Sequence, residues 1–168
     1  MEDNKNIIGN IEFKKGSKNL FYAVESSINA VNISDRKERL YYIYNESCKY
    51  LDREVVEKNI CGFMNDKCSA KRNTNCTMGC CHHFPHKKIG IFLNEKLELC
   101  EYQKDKRCTA NCIACKMFMC PEKEKEGYRY NVFNVPLINV FFNIIQKTIL
   151  ATTFFTPEDE IMKKVLRF

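Results

Sequence analysis

Two kinds of apolar periodicity frame the chain, and a central stretch has neither. Leu20, Phe21, Val24, Ile28 and Val31 recur at helical spacing behind Ser17, which predicts a first helix with those five side chains as its buried face. The segment Asn32–Asp35 interrupts the pattern. Asp35 with Glu38 three residues later reads as a capping box, and the helix it opens runs to about Lys58 with Leu40, Ile43, Tyr44, Cys48, Leu51 and Val55 along one side. Cys48 lies on this stripe and reads as a small buried hydrophobe, not as a ligand.

Periodicity stops at Cys61. Up to His86 neither the helical nor the strand repeat survives, as expected where metal takes over the work of an apolar core. Ile89–Leu93, a three-residue turn at Asn94–Lys96, and Leu97–Cys100 then read as a β-hairpin. Beyond Cys120, the run Pro121–Gly127 is a charged connector, and Tyr128–Phe133 reads as a short strand. Asn134 and Pro136 start a dense apolar run from Leu137 to Leu150, predicted as the central helix of the fold. Thr156, Pro157, Glu158 and Asp159 form a strong helix start, and Ile161, Val165 and Leu166 dock the last helix. Ahead of the first helix, a short apolar pulse at Ile7, Ile8, Ile11 and Phe13 reads as a loop or edge strand. The expected fold is therefore mainly α: one domain over residues 1–168, with a helical part at 17–58, a cysteine-rich metal-binding insert at 61–120 with one short hairpin, and C-terminal helices at 134–168.

Composition adds the chemistry. Ten of the eleven cysteines lie within residues 61–120: Cys61, Cys68, Cys76, Cys80, Cys81, Cys100, Cys108, Cys112, Cys115 and Cys120. All three histidines, His82, His83 and His86, lie there too. A chain of 168 residues buries a core without disulfide staples. Its start carries acids before any apolar run, which is not the pattern of a secretory signal. The expected location is cytoplasmic, where thiols stay reduced and dense cysteine means metal more often than crosslinks. Eleven is also an odd number, which a closed disulfide framework cannot use up. The Lys-, Asn- and Ile-rich composition suits a bacterium with an AT-rich genome.

Net charge is +6, and the cysteine segment holds ten Lys/Arg against five Asp/Glu, so most of the excess sits there. A phosphate-binding surface is one reading. Compensation is the favoured one: four thiolates on one divalent ion leave two negative charges for nearby cations to offset, and no aromatics interleave with the basic residues as a nucleic-acid platform requires. Asn139, Asn143, Gln146 and Lys147 within the most apolar stretch make membrane insertion costly. The sequence names no partner: a protein fits, and nucleic acid stays open but is not favoured.

The cysteines fall into two groups. The first is Cys61-x6-Cys68-x7-Cys76-x3-Cys80-Cys81, and the second is Cys100-x7-Cys108-x3-Cys112-x2-Cys115-x4-Cys120. Closed zinc sites are built from pairs two to four residues apart, since a tight turn aims both sulfurs at one point. Three close thiolates with a remote fourth is the usual wrapping of a cubane iron–sulfur cluster, and Cys108, Cys112 and Cys115 have that arrangement. Their C-x3-C-x2-C spacing matches the radical SAM signature. Only 53 residues follow Cys115, however, with no glycine-rich strand series, so that family is not a whole-chain match. With ten thiols for two sites, the histidines read as turn residues, and Met117 and Met119 read as core instead of a copper(I) pair.

The segments CTMGCCHHF and LCEYQKDKRCTANCIACKMFMC resemble the zinc- or iron-chelating domains of bacteria, which carry a C-x2-C-x2-C-C knot and a later C-x-x-Y segment. Cys80 and Cys81 stand for the paired cysteines, and Cys100, Tyr102 and Cys108 for the later segment, over about a third of the chain. That resemblance implies metal or iron–sulfur binding and no defined reaction. No phosphate loop, dinucleotide fingerprint or paired-carboxylate motif occurs, so no catalytic residue is assigned. The expected cofactors are an iron–sulfur cluster, zinc, or both. The expected function is metal binding with no defined biological role, redox or sensing being one that fits, and a zinc-stabilised nucleic-acid- or protein-binding adaptor is the alternative.

Overall fold

A computed structural model describes residues 18–58, 60, 103–104, 107–108, 110–119 and 121–168. The molecule is mainly helical. Helix α1 (Lys18–Val31) and helix α2 (Arg36–Glu57) come first. A two-residue ladder follows, in which β1 (Gln103–Lys104) pairs antiparallel with β2 (Arg107–Cys108), Gln103 opposite Cys108. Five short helices complete the chain: α3 (Ile113–Met117), α4 (Pro121–Lys125), α5 (Pro136–Phe141), α6 (Ile144–Thr152) and α7 (Glu158–Val165). The insert's remaining residues, including the hairpin expected at 89–100, lie outside the described residues. No described helix is long and apolar enough to cross a membrane.

Helix α2 is the axis, packed against α1, α3 and α5. Its start shows one half of the expected box: the Asp35 carboxylate accepts the Glu38 N–H at 2.7 Å, satisfying one of the orphan donors of the first turn. Its stripe is buried as far as Leu51, with Leu40, Ile43, Tyr44, Cys48 and Leu51 all at 5 % exposure or less, while Val55, expected on the same side, is half-buried. Each fully buried large apolar side chain there contributes roughly 2 kcal/mol. One core cluster joins this stripe to Ile113 and Ala114 of α3, Leu137 and Ile138 of α5, Leu150 of α6, and Ile161, Met162 and Val165 of α7.

Helix α1 reverses the expectation. Its buried residues are Asn19, Ala23, Ser26 and Ala30, while Phe21, Val24, Ile28 and Val31 are exposed. The cause lies on α2, which presents two buried carboxylates, Glu46 and Glu54, to the incoming helix. Buried carboxylates must be hydrogen-bonded. Tyr22 and Ser26 donate to Glu46, and Asn19 donates to Glu54 at 2.7 Å and to the Tyr50 carbonyl at 3.2 Å. Lys49 of α2 and Lys58, just past its end, close the two carboxylates. As the α1 number rises the α2 partner falls, so the helices run antiparallel.

The apolar run after Pro136 is two helices, not one. Asn143 breaks it: its side chain accepts the Gln146 N–H at 2.9 Å, and the Gln146 side chain accepts the Asn143 N–H at 3.0 Å. This reciprocal box starts α6 afresh. The strand expected at Tyr128–Phe133 is a turn, because the Asn131 carboxamide accepts the N–H groups of Phe133 and Asn134 and competes with any ladder. The connector at 121–127 contains α4 and ends at Gly127, whose φ of 93° is one that side chains rarely adopt.

Candidate metal-ligating thiol pair

Of the ten cysteines proposed as ligands, the structure describes the side chains of two, Cys112 and Cys115. Cys108 is placed through its backbone in β2, four residues before Cys112. Cys61, Cys68, Cys76, Cys80, Cys81, Cys100 and Cys120 lie outside the described residues, as do His82, His83 and His86. Among the described residues, no three His, Cys, Asp or Glu side chains stand close enough to share a metal ion.

The pair is built by the first turn of α3. Cys112 is the N-cap residue, with φ −82° and ψ 117°, and Cys115 is the third helical residue. Cap and third position face one another across one turn, the relation a capping box uses. Cys112 is fully buried, and Cys115 is partly exposed. The Cys112 thiol donates to the Thr153 carbonyl at 3.0 Å. From the same loop between α6 and α7, the Phe155 N–H donates to the Cys115 sulfur at 3.3 Å. Phe155 sits at φ 51°, a left-handed conformation costly for a bulky side chain.

The electrostatics of the pair favour a thiolate. No full cap hydrogen bond reaches the Cys112 sulfur from its own helix. The Cys115 thiol nevertheless hydrogen-bonds it, and the N–H groups of Cys115, Thr156 and Ala114 stand around it. Against the opposing effect of burial, these bring its pKa down to about 6. Cys48 shows the contrast. Burial pushes its thiol well above the usual range, and it donates to the Asn111 carbonyl at 3.2 Å.

Asn111, immediately before the pair, anchors it to two helices. It too is left-handed, at φ 51°, a conformation asparagine tolerates better than most residues. Its carbonyl also accepts the Tyr44 hydroxyl at 2.8 Å. Its carboxamide donates to Asn45 at 3.0 Å and to Glu158 at 3.2 Å. Asn45 in turn donates to Glu158 at 2.7 Å, and the Glu158 N–H reaches the Ala110 carbonyl at 3.1 Å. On the far side of α3, Lys116 is paired with Asp52 of α2 at 2.6 Å. Residues 110–116 are thus fixed from α2 and from the start of α7.

The sequence marks Glu158 as a dipole acid and Thr156 as the hydroxyl cap of α7, and it assigns no role to Asn111, Asn45 or residues 153–155. In the structure the cap position is Pro157, and the Thr156 hydroxyl donates to the Phe154 carbonyl at 2.8 Å instead. Asn111 did carry a signal, being an asparagine directly before a two-residue cysteine pair. The loop carried none, since it acts through its backbone. Comparison of the chain with protein families, with curated proteins and with solved structures finds no match.

Proposed function

We propose that this chain is a metal-binding protein in which Cys112 and Cys115 supply two thiolates to an iron–sulfur cluster or a zinc ion. The remaining ligands come from Cys61, Cys68, Cys76, Cys80, Cys81, Cys100, Cys108 and Cys120. The observation that carries the reading is the Phe155 N–H directed at the Cys115 sulfur beside the Cys112–Cys115 contact. Backbone N–H groups aimed at sulfur stabilise the charge that metal-bound thiolates keep, and they tune the potential of clusters. The Thr153 contact suits a protonated Cys112 only. Ionisation gives up that bond, and a cation at the sulfur replaces it.

The role that follows is structural, redox or sensing, with no reaction of the chain's own. A zinc-stabilised adaptor is the second reading, supported by the +5 charge of residues 61–120. The test is the ultraviolet–visible spectrum of protein purified without oxygen, with iron, sulfide and zinc analysis. A visible absorption shoulder with matching iron and sulfide supports a cluster. A colourless protein with stoichiometric zinc supports the adaptor. Absence of both metals from the folded chain overturns the proposal.

A further inference from the structure

The outward face of α1 is apolar and complementary to itself. Phe21, Val24, Ile28 and Val31 are 73, 51, 57 and 64 % exposed, and they follow one another at intervals of three, four and three. Helical spacing sets all four on one side, away from the buried Asn19, Ala23, Ser26 and Ala30. That series of intervals reads the same in either direction. Two such helices laid antiparallel, face to face, bring Phe21 opposite Val31 and Val24 opposite Ile28, and then repeat both contacts with the copies exchanged. This is the condition for an isologous, two-fold contact.

The Val31 end of the row is not flat. Val31 shares a cleft of about 390 Å³ with Leu40, Val140 and Phe141, and Arg36 and Arg39 border it. Val140 is itself 70 % exposed, so the apolar surface continues from α1 onto α5. Phe21, the most exposed side chain of the row, stands at the opposite end. One face thus carries an aromatic knob and an apolar hole, about 15 Å apart along the helix.

We propose that α1 is the interface of a symmetric dimer, in which Phe21 of each copy enters the cleft beside Val31 of the other. Both sides of the contact are then built from α1, α2 and α5. The ring packs on Leu40, Val140 and Phe141, and Arg36 and Arg39 at the rim offer cations to its face. An aromatic side chain seated in a pocket is the usual anchor of an interface. Area supports a second copy as the occupant. Each partner of a stable complex buries roughly 800 Å², and about 65 % of a homodimer interface is apolar, which is roughly 500 Å². Phe21, Val24, Ile28, Val31 and Val140 offer on the order of 500 Å² on each copy. Charge agrees: from residue 19 to residue 34 the one charged side chain is Glu25, exposed and off the row, and interface cores are depleted of charge. The proposal is independent of the cysteine chemistry.

The test is sedimentation equilibrium on the full chain, as purified, with a thiol reductant present to prevent crosslinks between copies. A reversible monomer–dimer equilibrium is expected. Phe21→Lys sets a further cation against Arg36 and Arg39, and Val140→Lys blocks the hole. Each raises the dissociation constant more than about tenfold, while circular dichroism keeps the parent's helix content, both positions being exposed. A chain that stays monomeric overturns the proposal, as does a dimer that both variants leave intact. Isotope-filtered nuclear Overhauser spectroscopy on mixed labelled and unlabelled chains reads the register. Cross-peaks from the Phe21 ring of one chain to the Val31 and Val140 methyls of the other are expected, and a dimer without them overturns the proposal.

Discussion

The Tyr44 hydroxyl, deep in α2, donates to the backbone carbonyl of Asn111 at 2.8 Å. That single oxygen also accepts the Cys48 thiol, so two residues of the α2 stripe hold the approach to Cys112. Tyr44→Phe leaves the carbonyl one donor and is expected to cost about 1 kcal/mol. Tyr44→Phe with Cys48→Ala leaves it none, and the loss is expected to exceed the sum of the single changes by about 1 kcal/mol. Urea unfolding of the four proteins measures both.

Asn111→Ala and Asn111→Gly separate side-chain bonding from backbone strain. Both lose the bonds to Asn45 and Glu158. Only alanine also resists the left-handed φ of 51°, so it is expected to be less stable than the glycine variant by roughly 1 kcal/mol. Equal unfolding midpoints would contradict the role given to the backbone.

Cys112→Ser and Cys115→Ser are expected to lower bound iron or zinc per chain well below that of the parent, and Cys48→Ser to leave it unchanged. Metal analysis alongside circular dichroism checks this, the dichroism confirming that each variant still folds.

Glu46 gives the scaffold an acid limit. Burial disfavours its charge, but hydrogen bonds from Lys49, Tyr22 and Ser26 outweigh it and hold the carboxyl below its usual pKa. A carboxylate depressed in the folded state stabilises at pH above its unfolded value, and that contribution is lost as pH falls through the folded one. Glu46→Gln is therefore expected to be less stable than the parent at neutral pH, with the difference shrinking below about pH 4. Thermal unfolding between pH 3 and 7 reads the two slopes.

The stripe of α2 was legible because one side of that helix meets nearly all the apolar core, so spacing alone names its buried residues. The face of α1 was not. Periodicity records which side chains share a side, whereas burial depends on what lies opposite, and here Glu46 and Glu54 demanded donors that Phe21 and Val24 lack. The break at Asn143 was written in the sequence as Asn143 and Gln146 three apart, but the surrounding Ile and Phe residues hid it under a continuous apolar count. At the site, the two-residue pair itself was visible. Its setting was not, because Thr153 and Phe155 act on it through main-chain atoms that no residue type announces.

Helix α2 holds both exits of the central stretch: Ile60 is buried just past its end, and Asn111 is tied to its middle. Chain length between two fixed points enters folding only logarithmically, at about 0.6 kcal/mol for each doubling. Residues can therefore be gained or lost between those exits at little expense to the helices. The helical scaffold, constrained by packing, and the cysteine-rich stretch are thus free to diverge at different rates.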